Sequence, residues 1–189
     1  MEYLPSLRVR VKELVRVMWR VLFRTPPLTL REGDCVVVCD AIEAYRSLFD
    51  ARSIRAMRTL VARASRAGLP VVYTRWSRVD ASREDAVDAK GHWSDYVARD
   101  EGTHVLRELT EPSVRPDITV RVPQPDLVVR VAFPNAFAHR EVVDFLAERR
   151  VRRVVLAGGW AEACVLATAR AALEHDVRPV VAADATVGH

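Results

Sequence analysis

Lysine is nearly absent from this chain: of its 29 basic residues only Lys12 and Lys90 are lysines. Any chemistry that needs a lysine side chain therefore has two candidates. Cysteine is scarce as well. Cys35, Cys39 and Cys164 form no CxxC pair, and Cys35 and Cys39 share one apolar run in which strand geometry holds them too far apart to bridge. This excludes a disulfide scaffold and fits a reducing, cytoplasmic setting. No apolar run approaches the length needed to cross a bilayer, and no leader with a cleavage site opens the chain. A soluble protein without a transmembrane segment is expected. Internal repeats and low-complexity tracts are also missing.

What is present is a chain of 189 residues, 50% hydrophobic, long enough to close a substantial core as one domain. The formal charge of +4 favours anions, but the arginines are interleaved with Asp and Glu, which reads as a solvated surface and not as a nucleic-acid face. Residues 1–30 stand apart as an N-terminal helix and Pro-rich linker, with the main domain at 31–189. Within the former, Leu7 to Phe23 carries Leu7, Val11, Leu14, Val15, Met18, Val21 and Leu22 on one side and basic residues elsewhere. Such a helix packs on the domain or on a neighbouring subunit, or lies on an anionic membrane. Pro26-Pro27 ends it.

Beyond the linker the pattern alternates. Strands are predicted at 35–39, 71–74, 127–131, 154–156 and 180–183, and helices at about 45–67, 139–150 and 163–175, with a short one near 103–109. Residues 75–117 form a long polar excursion carrying His92, Trp93, Tyr96 and His104. Strand–helix–strand order implies right-handed parallel crossovers and hence a doubly wound, three-layer α/β sandwich with a mainly parallel sheet. Ligands in such folds bind beyond the carboxyl ends of the strands.

Two strand ends carry chemistry. The run from Val154 to Ala169 passes through a tight Gly158-Gly159 turn and sets Cys164 where a helix begins. Helix-start N–H groups and the dipole there favour a thiolate and an oxyanion; the same cysteine also fits as a small buried core residue. The run Cys35-Val-Val-Val-Cys-Asp40 delivers a carboxylate at its end. Asp40 serves there either as a helix cap or as a general base, and the pairing of the two ends favours a base beside a nucleophile.

These residues resemble the isochorismatase-like cysteine hydrolase superfamily, which includes nicotinamidases, N-carbamoylsarcosine amidases and isochorismatases. The resemblance spans roughly residues 34–186. It rests on Asp40 with Tyr45 five residues on, on Tyr73-Thr74-Arg75, on Asn135-Ala136-Phe137, on Gly158, Cys164, Val165, Thr168 and Ala169, and on Asp184-Ala185. The resemblance implies an Asp-Lys-Cys triad in which Asp40 accepts the thiol proton and Cys164 attacks an amide-like carbonyl, releasing ammonia or an amine. It also implies a cis peptide, by position Trp160–Ala161, that helps to aim N–H groups at an oxyanion. Tyr45, Arg75, Trp76 and Phe137 would line the substrate pocket, with Arg75 meeting a substrate carboxylate. Homo-oligomers are usual in the family, and a partner subunit is expected to cover the edge left where the chain stops at His189.

Several positions depart from the family pattern. Val131 stands where the lysine belongs, and Arg130 beside it points to the opposite strand face unless a bulge turns it inward. Lys90 could replace it only by folding over the site. Ala161 stands in place of a threonine, and Ile42 in place of a glutamine. Trp76-Ser77-Arg78 replaces the histidine pattern of metal-binding members, so neither metal nor cofactor is expected. Three functions remain open: a cysteine hydrolase acting on a small-molecule amide or related C–N bond; a catalytically silent member that binds a ligand or partner; and an acid–base enzyme of isochorismatase type working from Asp40 alone.

Overall fold

A computed structural model describes residues 28–76, 104–110, 113–115, 118–120, 126–131 and 134–188, without the side chains of 76, 113–115 and 118–120. The N-terminal helix, Lys90, the aromatic and histidine residues at 92–96 and the side chain of Trp76 lie outside this description.

The sheet begins with β1 (Asp34–Cys39), buried along its whole length because both faces are covered. A 3-10 turn at Glu43–Leu48 follows, then α1 (Ala51–Arg66) and β2 (Val71–Trp76). The continuous helix expected from about residue 45 is therefore two elements. Phe49 is extended and buried between them, and the Asp50 side chain accepts a hydrogen bond from the Ser53 N–H at 2.7 Å, starting a new helix. Helix α1 buries Ile54, Met57, Leu60, Val61 and Ala64, a stripe at helical spacing.

After β2 come the one-turn helix α2 (Arg107–Thr110) and a small antiparallel pair, β3 (Ser113–Arg115) and β4 (Ile118–Val120). Strand β5 is Leu127–Val131, as predicted. A 3-10 turn at Ala136–Ala138, α3 (Arg140–Glu148), β6 (Arg153–Gly159), a π-type turn at Ala161–Val165, α4 (Leu166–Glu174) and β7 (Arg178–Val187) complete the chain.

The main sheet has five strands in the order β5-β2-β1-β6-β7, all neighbours parallel. Strand order reverses between β1 and β6, so right-handed crossovers put α1 on one face and α3 and α4 on the other. This is the doubly wound α/β sandwich, and the point of reversal is where such sheets open a crevice. At the opposite, amino-terminal edge Arg153 donates from Nε to Asp34 Oδ1 at 2.7 Å and from Nη2 to the Thr29 carbonyl at 2.7 Å, tying the incoming chain to β1 and β6.

Candidate active site

Asp40 is the residue that leaves β1 at the crevice. It is fully buried and has a φ of +46°, a left-handed conformation that turns the chain off the sheet. Thr74, at the end of β2, holds it there. The Thr74 hydroxyl donates to Asp40 Oδ1 at 3.0 Å, and the Asp40 N–H donates to the Thr74 carbonyl at 3.2 Å.

On the neighbouring strand, Gly158 faces Cys39 in register. Its φ of +102° and its closeness to β1 leave no room for a side chain: a Cβ would lie 2.0 Å from the Cys39 carbonyl oxygen. The glycine thus lets β6 pass tightly by β1 and carry the chain into the turn that bears Cys164. The cis peptide expected at Trp160–Ala161 is instead Gly159–Trp160. Strand β6 runs through the Gly158-Gly159 pair, where a tight turn was expected, and the chain leaves the sheet at Trp160.

Cys164 lies in the π-type turn before α4, buried to 2% exposure. Its thiol lies beside the Asp40 carboxylate, near enough to feel its charge and hydrogen-bonding capacity, so the nucleophile and base candidates do meet. Burial pushes the thiol far above its ordinary value; the negative charge of Asp40 and its hydrogen-bonding capacity push the same way, and hydrogen bonding from the Trp160 backbone opposes them. The thiolate expected from a helix start is therefore not the resting form. A helix terminus offers part of a charge, whereas here a whole carboxylate sits beside a desolvated sulfur. The N–H groups of Ala163 and Val165 both donate to the Trp160 carbonyl at 3.1 Å and are not available to an oxyanion.

A second buried thiol adjoins the pair. Burial first and then the charge of Asp40 raise Cys39 as well, with the hydroxyls of Thr168 and Thr74 near enough to oppose the shift. The Thr168 hydroxyl accepts the Ala136 N–H at 3.1 Å. Sequence reasoning named Thr74 and Thr168 only as family markers and treated Cys39 as core. The polar residues flanking a buried carboxylate were the available signal.

Of the expected lining residues, Tyr45 and Trp160 come together as an edge-to-face pair with centroids 5.7 Å apart. The returning chain closes over them. The Leu106 N–H donates to the Ala41 carbonyl at 2.8 Å, the Glu43 N–H donates to the His104 carbonyl at 2.9 Å, and Arg46 pairs with Glu108.

Two expected residues lie elsewhere. Phe137 stacks on His175, with centroids 5.2 Å apart. His175 follows Cys164 by eleven positions, which at the helical rise is about 16 Å, so Phe137 packs on the far end of α4. Arg75 pairs in register with Arg130, while Thr74 pairs with Val129. Alternation puts both arginines on the face away from Thr74. Arg130 is exposed there and no bulge turns it inward, because β2 and β5 pair without a break from Leu127 to Val131. Val131 is on the Thr74 face and 2% exposed. No group of three or more His, Cys, Asp or Glu side chains that could hold a metal occurs among the described residues.

Comparisons with known proteins agree with this architecture. The sequence profile of the isochorismatase domain matches residues 34–189. A crystal structure of N-carbamoylsarcosine amidase from Thermoplasma acidophilum superposes with a TM-score of 0.65 at 24% identity, covering 82% of this chain and 84% of that one. A cysteine hydrolase from Pseudomonas syringae pv. phaseolicola gives a TM-score of 0.66 at 19% identity, over 87% and 78% of the two chains. The MAR1 ribonuclease of Caenorhabditis elegans gives 0.60 at 20% identity, over 85% and 68%. No curated protein sequence matches. At these identities the superpositions establish the fold, and a fold shared by proteins so differently named does not select a substrate.

Proposed function

The chain belongs to the isochorismatase family of hydrolases, and from that premise we propose that it is a cysteine hydrolase acting on a small amide, carbamoyl or related C–N bond, with Cys164 as nucleophile and Asp40 as base. The observation that carries this reading is the juxtaposition of the buried Cys164 thiol and the buried Asp40 carboxylate where β1 and β6 end.

The pair holds one proton and one negative charge. In the proposed reaction Cys164 attacks the carbonyl carbon as its proton passes to Asp40, so the charge moves from carboxylate to oxyanion and no second charge is created. Asp40 then gives the proton to the departing amine, leaving a thioester on Cys164. Water activated by Asp40 hydrolyses that thioester and restores the thiol. Moving one charge within a desolvated site costs less than adding another. With Val131 in place of a cation, the proposed substrate is uncharged at its reacting end. Trp160, Ala161 and Tyr45 form the adjoining wall in this reading, and Trp76 belongs to it as a proposed contact.

The test is turnover on a panel of neutral carboxamides and carbamoyl compounds by the wild-type chain, Cys164→Ala and Asp40→Asn. Both variants are expected to lose at least about a hundredfold in kcat, as when one member of a catalytic unit is removed. Activity retained in Cys164→Ala but lost in Asp40→Asn would replace this reading with acid–base chemistry from Asp40 alone. Val131 favours a second reading, a ligand-binding member without turnover. Its mark would be saturable binding of a panel compound with no product formed by any of the three proteins.

A further inference from the structure

The Asp40 carboxylate is fully buried at a strand end where the backbone is left-handed, so its direction is set by what it packs against. We propose that Thr74 is the positioning residue for Asp40: it engages the backbone and one carboxylate oxygen, leaving the other oxygen to take the Cys164 proton. The inference rests on Asp40 and Cys164 being the reacting pair.

Three contacts define the clamp. The Thr74 hydroxyl donates to Asp40 Oδ1 at 3.0 Å, the Asp40 N–H reaches the same hydroxyl oxygen at 3.3 Å, and it donates to the Thr74 carbonyl at 3.2 Å. An aspartate side chain has only two rotatable bonds. With its own N–H and one oxygen tied to the same residue, the direction of the second oxygen is set. Thr74 is itself buried in β2, whose register with β5 runs unbroken to its end and whose register with β1 reaches Tyr73.

The clamp continues beyond Asp40. Thr74 and Thr168 both bring their hydroxyls near Cys39, the residue before Asp40, and Thr168 accepts the Ala136 N–H at 3.1 Å. Thr168 lies four residues after Cys164, on the same side of the helix. One buried polar chain therefore positions both the strand end that carries the carboxylate and the helix that carries the thiol. A threonine whose only task was to satisfy a buried hydroxyl could use a backbone carbonyl. Here the hydroxyl proton goes to a carboxylate oxygen.

The test is the pH dependence of Cys164 alkylation by iodoacetamide in the full chain, with the labelled cysteine identified by peptide mass spectrometry. It compares wild type, Asp40→Asn, Thr74→Val, Thr74→Ala, Thr74→Ser and Asp40→Asn/Thr74→Val, with thermal melting as the folding control. Asp40→Asn removes the charge and acceptor that hold the proton on sulfur, so labelling near neutral pH rises about tenfold or more, the effect of one pH unit in thiol titration. Thr74→Val and Thr74→Ala move most of the way to that profile, Thr74→Ser stays with wild type, and the double variant matches Asp40→Asn. Thr74→Ser and the double variant serve as folded comparators should one truncation misfold. A wild-type profile in the folded Thr74 truncation overturns the inference alone, as does a Thr74→Val effect that persists in full without Asp40. An unchanged profile in Asp40→Asn overturns the Asp–Cys reading and this inference with it.

Discussion

At the scale of single residues, the candidate site is a buried cysteine beside a buried carboxylate, and the proposal sets Val131 at the position of the family lysine. Val131 occupies the face of β5 that carries Val129 and, across in β2, Thr74. A lysine placed there would extend from the strand end toward the same crevice. We expect Val131→Lys to raise the rate on a responsive neutral amide by about tenfold or more, in line with the 10²–10³ that one well-placed stabilising group supplies, and to lower the thiol titration of Cys164. The check is kcat/KM together with the alkylation profile. An unchanged profile would mean that position 131 does not face the pair. The sequence made Asp40, Cys164 and the valine legible, since each follows from a short motif. It did not make Phe137 legible, because whether a ring after a 3-10 turn meets the start or the far end of α4 depends on tertiary packing and not on local pattern. The upward shift of the Cys164 thiol was likewise hidden, since it depends first on burial and then on a carboxylate 124 positions away in the chain.

At the scale of elements, the site depends on how closely β6 passes β1. Gly158 is the pinch point, and a Cβ there would overlap the Cys39 carbonyl at 2.0 Å in a backbone region that side chains rarely adopt. Gly158→Ala should therefore push β6 from β1 and separate Cys164 from Asp40. The expected outcome is destabilisation of several kcal/mol, about the upper end for single substitutions, with loss of the Asp40-dependent thiol titration. Chemical denaturation and site-resolved labelling check the two parts separately. The central strands β1, β2 and β6 were legible as continuous apolar runs, the mark of strands buried on both faces, while the edge strands β5 and β7 are partly exposed. The π-type turn before α4 and the 3-10 turn before α1 were not. Both continue a helical apolar pattern, so only the capping Asp50 and the irregular turn at Trp160 mark where the elements divide.

For the whole molecule, three buried thiols and the buried Tyr73 phenol shape the response to alkali. Cys35, Cys39 and Cys164 are raised above the ordinary value of 9.0 by burial first, and Tyr73 above its ordinary 10.0 for the same reason. These groups keep their protons in the folded state at pH values where the unfolded chain has lost them. Their contribution to stability is therefore fully present below about pH 9 and falls as pH rises beyond it, by up to about 1.4 kcal/mol per pH unit for each titrating thiol. Urea unfolding from pH 8 to 10.5 should show a steep decline, shallower in Cys35→Ser, whose hydroxyl does not titrate in that range. A flat profile would mean that the thiols are more hydrated than the structure has them. At this scale the doubly wound fold could be read from the order of elements alone. The chain's return at residues 104–110, stitched onto residues 41–46 at the edge of the site, could not, because it is held by backbone hydrogen bonds and the Arg46–Glu108 pair with no periodic signal.

The most direct test of the central claim is to quench the reaction on the best amide substrate early in turnover and map acyl groups by mass spectrometry. The Asp–Cys account predicts an acyl thioester on Cys164 in the wild-type chain and none in Asp40→Asn or Cys164→Ala. Product formed at an undiminished rate by Cys164→Ala, with no acylated cysteine in the wild type, would contradict it.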